Sequence, residues 1–184
     1  MVAKTEGTQL PQRQNASFNK VFQLNKQLIL TARKLETGPL ENYTHMATLI
    51  HKMNLLLLEF DKITHLKNIL RLIFSQKLLL TVCDFVMNTD NFANFGVRFL
   101  EILSLEFPSE VANSEILGVV SGLLRTNDYE TVAQCLSFVS VLAENASLHT
   151  DQLSVQKIVS GKLLTLMLRT VAKQPEVEYL HYML

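Results

Sequence analysis

Residues 79–105 (LLTVCDFVMNTDNFANFGVRFLEILSL) can be laid over residues 116–142 (ILGVVSGLLRTNDYETVAQCLSFVSVL) at an offset of 37 without a gap. Apolar positions then coincide: Leu80 with Leu117, Val82 with Val119, Val86 with Leu123, Met87 with Leu124, Phe99 with Leu136, Ile102 with Val139 and Leu105 with Leu142. Thr89 falls on Thr126 in the intervening polar turn. A period near 40, in which each unit is two apolar helices around a short turn, is the pattern of a helical solenoid. A unit of this kind cannot bury its apolar face alone, so neighbouring units must stack.

The rest of the chain carries the same 3.6-residue periodicity. From Ser17, read as an N-cap, Phe18, Val21, Phe22, Leu28, Ile29, Ala32 and Leu35 trace one stripe as far as Gly38-Pro39. Further helices are predicted over about 40–60, 62–74 and 77–88. Another covers 92–107 and ends at Pro108, which has no backbone donor to continue it. Ser114 is read as the cap of a helix over 115–125, and a long helix follows over 129–144. Asp151 is read as the cap of a short helix to about 159, and residues 162–173 follow the Ser160-Gly161 break. No run alternates polar and apolar residues, so no sheet is assigned. Residues 1–15 read as a polar tail and 16–184 as one helical-repeat domain, with either a further repeat or a partner expected to cover the strongly apolar YLHYML at its end.

Composition narrows the function. The 184 residues are 48% apolar and only 18% charged, against roughly 25% charged in typical soluble domains. Seventeen basic residues balance seventeen acidic ones, which leaves no global field for nucleic acid or an anionic membrane. With no net charge to keep a lone copy apart from others, a partner covering apolar surface is expected. Residues 1–15 lack the apolar core of a secretory signal, and no apolar run reaches the roughly 18 residues of a membrane span, so an intracellular location is expected. Cys83 and Cys135 sit at apolar helical positions and read as buried free thiols.

The segment ILGVVSGLLRTNDYETVAQCLSFVSVLAEN, at residues 116–145, resembles the armadillo repeat family, and KIVSGKLLTLMLRT then resembles the opening of the next unit. Leu123-Leu124-Arg125-Thr126 recurs as Met167-Leu168-Arg169-Thr170 at an offset of 44, and the resemblance spans about residues 77–173. It implies an all-α, armadillo-like right-handed helical solenoid of about three to four units. Peptide-binding members carry an Asn on each long helix, where this chain has Ser104 and Val141, so docking through ridges and helix faces is expected instead.

Motifs for chemistry are not found. No two of His45, His51, His65, His149 and His181 stand four residues apart, as two imidazoles on one metal require. There is no G-x-S-x-G nucleophile turn and no phosphate-binding glycine loop. The pair Gly118 and Gly122 reads as a packing device within a helix. The expectation is a non-enzyme without cofactor, metal or small-molecule substrate: a scaffold or bridging subunit of a larger protein complex. The resemblance alone implies a nuclear, chromatin-regulating setting. Its partner-binding residues are read as Val177, Leu180, Tyr182, Met183 and Leu184. The alternative is nucleic-acid or acidic-partner contact through Lys52, Lys62, Lys67 and Arg71, where positive charge gathers on two successive helices.

Overall fold

Helix signals are strong throughout the chain, and every element of the structure is a helix. The computed structural model describes residues 10–38, 42–60, 62–89, 91–126, 128–148, 152–159 and 162–173, and no strand occurs among them. The helices are α1 (Leu10–Thr37), α2 (Tyr43–Leu58), α3 (Ile63–Ile73), α4 (Gln76–Asn88), α5 (Ala93–Ser104), α6 (Pro108–Val111), α7 (Ser114–Leu123), α8 (Tyr129–Leu148), α9 (Gln152–Val159) and α10 (Lys162–Lys173).

The all-α expectation therefore holds, while several boundaries move. The helix α1 starts at Leu10, inside the stretch read as a polar tail, and Ser17 lies within it. Pro11 does not prevent this, because a proline in the first turn gives up a donor that has no intrahelical acceptor anyway. Asn113, not Ser114, caps α7, its Oδ1 accepting from the Ile116 N–H at 2.8 Å. Asn42 and Ser75 cap α2 and α4 in the same way, at 3.1 Å and 2.9 Å. Pro108 both ends the extension of α5 and opens the four-residue α6, a helix that the sequence reading passed over. Asn145 does not end α8, which runs on to Leu148.

Packing follows chain order. The substantial helix contacts join elements no more than three apart: α1 meets α2, α3 and α4, α2 meets α5, α4 meets α7, α5 meets α8, and α7 meets α10. The α5–α8 contact is the most extensive. Two series result, α1–α4–α7–α10 and α2–α5–α8, with the short α6 and α9 set against α8. Side chains fasten neighbours across these contacts. Asn54 Nδ2 of α2 donates to the Phe95 carbonyl of α5 at 2.9 Å, and the Thr170 hydroxyl of α10 donates to the Leu124 carbonyl beyond α7 at 3.2 Å. One apolar core runs through the contacts from Leu28 in α1 to Met167 in α10.

The internal repeat maps α4 onto α7 and α5 onto α8, but burial shifts its register. The four buried apolar residues of α7 and its C-cap, Ile116, Leu117, Val120 and Leu124, match buried Leu78, Leu79, Val82 and Val86, which lie 38 residues earlier. At the expected offset of 37, exposed Leu80 and Met87 would be paired with buried Leu117 and Leu124. A one-residue slip is invisible when nearly every position of both helices is apolar. In α5 and α8 the offset of 38 likewise pairs buried Cys135, Phe138 and Leu142 with buried Val97, Leu100 and Ser104. An offset of 37 sets Cys135 and Leu142 on half-buried Arg98 and Leu105, although it does pair the fully buried Phe99 and Leu136.

Candidate interaction surfaces

The apolar cluster Val177, Leu180, Tyr182, Met183 and Leu184 lies outside the described residues. The basic set is visible, and the fold divides it. Lys52 on α2 and Lys62 before α3 are exposed. Lys67 and Arg71, one turn apart on α3, converge instead on Glu106 in the turn between α5 and α6. Lys67 Nζ lies 3.7 Å from Oε2, and Arg71 Nε donates to Oε1. The Glu106 side chain is only 8% exposed, so the acidic partner anticipated for this pair includes the chain's own carboxylate. Since the two sides stand 35 residues apart, no local pattern announces them. Removing the negative charge should leave two cations facing each other without compensation. Glu106→Gln is expected to cost about 1 kcal/mol, a small figure because Arg71 is largely exposed and screened. Urea denaturation at low and high salt would measure it, and the loss should shrink at high salt.

A polar cleft between α5 and α8 went unread in the sequence. Glu101, buried in a helix of largely apolar inward residues, accepts from Arg98 Nη1 at 2.7 Å, from Gln134 Nε2 and from Ser137. Asn94 Nδ2 donates to Glu130 Oε2 at 3.4 Å a turn away. The cleft has a volume of about 340 Å³ and is lined by Asn94, Arg98, Tyr129, Glu130, Gln134 and Ser137. Burial pushes the Glu101 carboxyl above its ordinary value of 4.5, opposed by the Arg98 charge and by the hydrogen bonds. The only sequence signal was an acid in mid-helix with an Arg three residues before it.

A raised folded-state pKa stabilises fully below the unfolded value, and the contribution is lost as pH rises through the folded one. Glu101 therefore weighs against folding at neutral pH. The stability of Glu101→Gln relative to the natural chain is expected to rise from pH 4 to pH 8, as read from urea midpoints at the two values. A flat difference would mean that the carboxyl is not held in a desolvated site.

Apolar side chains break the surface on several helices: Phe22 and Leu30 on α1, Leu80 and Met87 on α4, Leu164 and Leu168 on α10. Phe22, read as core, is 57% exposed. Between α4 and α7 an open apolar groove of about 500 Å³ is lined by Val86, Met87, Gly118, Val119, Gly122 and Leu123, with Glu115 at its edge. The reading of Gly118 and Gly122 as an internal packing device fails here. A Cβ built on either meets no atom within 4 Å.

Cys83 and Cys135 are buried, as expected, and burial pushes both thiols up to about 12, which keeps them protonated and unreactive. Ser104 is fully buried with its hydroxyl on the Glu101 carbonyl, and Val141 is half-buried, so neither presents an amide to a ligand. No group of three His, Cys, Asp or Glu residues is placed to hold a metal among the described residues, and no helix among them is long and apolar enough to cross a membrane. Comparison with known proteins finds no matching family model, no matching curated protein and no matching solved structure.

Proposed function

We propose that the chain is a non-catalytic scaffold, an armadillo-like solenoid that bridges subunits of a larger intracellular protein complex. The observation that carries this reading is the stride of three in the helix contacts. Each helix of the two main series packs on the one three positions later, and the short α6 and α9 stand three positions apart between them. Contacts confined to near neighbours in chain order are what stacked repeats produce, whereas a closed bundle brings distant elements together. The four-residue α6, ten-residue α7 and twenty-residue α8 follow the short, medium and long order of a three-helix unit. Large apolar side chains left in water along such a stack favour protein partners. The pairing of Lys67 and Arg71 with Glu106 weakens the case for a nucleic-acid surface.

The test is affinity purification of the tagged chain from its native cells. A subunit should co-purify at fixed stoichiometry and be lost when Leu180 and Met183 are both replaced by Asp. A monodisperse chain that retains no stable partner would defeat the proposal. The nucleic-acid alternative is tested with Lys52→Glu and Lys62→Glu rather than with Lys67 and Arg71, whose reversal would also place like charges around Glu106. Salt-sensitive binding of duplex or single-stranded nucleic acid, lost in this double variant, would favour that alternative.

A further inference from the structure

The outward face of α7 has an unusual composition. Glu115, Gly118, Gly122 and Arg125 are exposed and fall at intervals of three, four and three residues, the spacing of a single seam along a helix. Arg125 continues the helical turn, its N–H donating to the Gly122 carbonyl at 3.0 Å. Two glycines within the ten residues of α7 weaken it, since each is less favourable than Ala in a helix interior. Nothing among the described residues needs the space they leave, because a Cβ at either position meets none of their atoms within 4 Å. The equivalent positions on α4 hold Leu80 and Asp84.

The seam is complementary to itself. Glu115 and Arg125 stand five residues to either side of Val120, and Gly118 and Gly122 two residues to either side. When two copies of α7 are laid antiparallel about that midpoint, Glu115 of each faces Arg125 of the other and Gly118 faces Gly122. Neither charged group has an ion-pair partner among the described residues. A two-fold interface requires this reciprocity, residue i meeting j while j meets i. The antiparallel arrangement also sets the positive end of one helix against the negative end of the other.

We infer that the α7 seam, with the apolar groove beside it, is a homodimer interface whose occupant is α7 of a second copy of this chain. The glycines let the two backbones approach more closely than the usual 8–10 Å between helix axes. A ten-residue helix falls short of the roughly 800 Å² per partner of a stable interface, so its flanks must contribute. The two-fold brings α4 against its own copy and α10 against its own copy. Exposed Leu80 and Met87, at the α4 positions equivalent to Gly118 and Arg125, then lie in the flanks of the same interface. The absence of net charge places no long-range repulsion in the way. This inference does not rest on the bridging role proposed above and stands or falls independently of it.

Sedimentation equilibrium of the full chain tests the inference. The 20.9 kDa chain should dimerise in a concentration-dependent way. Glu115→Arg or Arg125→Glu alone should raise the dissociation constant about tenfold or more, while the two together should restore it to within about threefold, because the reversed pairs match again. Gly122→Leu should give a monomer with an unchanged circular dichroism spectrum, since the added side chain occupies open space in the single chain. The inference is overturned by a monomer at about 100 μM, a concentration well above weak specific affinities. It is equally overturned by single reversals that the double reversal does not rescue, by a dimer that survives Gly122→Leu, or by a foreign subunit occupying the seam of a monomeric chain.

Discussion

Phe99→Ala is expected to destabilise the chain by about 3–5 kcal/mol, and Leu136→Ala by about 2–5 kcal/mol. Both side chains are fully buried, Phe99 in α5 and Leu136 in α8, the helix pair with the most extensive contact. α5 also meets α2, α4 and α6, so the space left by a deleted ring is walled by several elements that cannot collapse together. The cost is then the lost transfer free energy plus a residual cavity. Against the 5–15 kcal/mol that natural domains hold in total, either change removes a large fraction of the stability. Urea midpoints at an unchanged slope would measure it. If neither midpoint moves, α5 and α8 do not form the centre of the core. The double variant should fall short of the sum of the two, because residues that share one core couple.

Helix content was legible in the sequence because apolar spacing and stop signals are local: the stripe of α1 and the stop at Pro108 act within a few residues. The caps were misplaced, Ser17 lying inside α1 and Asn113 rather than Ser114 capping α7. The stride of three was partly legible through the repeat of α4 and α5 as α7 and α8. Its register was not, since neighbouring apolar positions carry the same hydrophobicity and only packing decides which of them faces inward. Charge pairing was the least legible. Lys67 and Arg71 looked like a free patch because Glu106 reaches them from another helix pair, and Glu101 looked unremarkable because its burial depends on α8 lying across it. The glycines of α7 were seen in the sequence but explained wrongly. Whether a small residue makes room for a neighbour depends on whether a neighbour is there.

Gly96 gives the opposite case, and Gly96→Ala is expected to destabilise by about 1–3 kcal/mol. In an exposed helix the same change would stabilise by roughly 1 kcal/mol, through the higher helix propensity of Ala. At Gly96 a Cβ would lie 2.2 Å from Val86 Cγ2 and 3.2 Å from Phe85 Cδ1. Both side chains are buried, so neither can swing into solvent to make room. α4 and α5 cross closely here only because α5 carries a hydrogen where other residues carry a side chain. To accept a methyl group the helices must separate, which loosens the contacts of Phe85 and Val86 with the rest of the core. The overlap outweighs the propensity gain. At Gly118 the balance reverses, because the space around it is open. Thermal unfolding of the dilute, monomeric chain should therefore shift downward by several degrees for Gly96→Ala and upward for Gly118→Ala, at roughly 2–4 °C per kcal/mol for a chain of this length. Equal, small upward shifts at both positions would mean that α4 and α5 do not meet at Gly96, and the order of packing along the chain would have to be redrawn from that point.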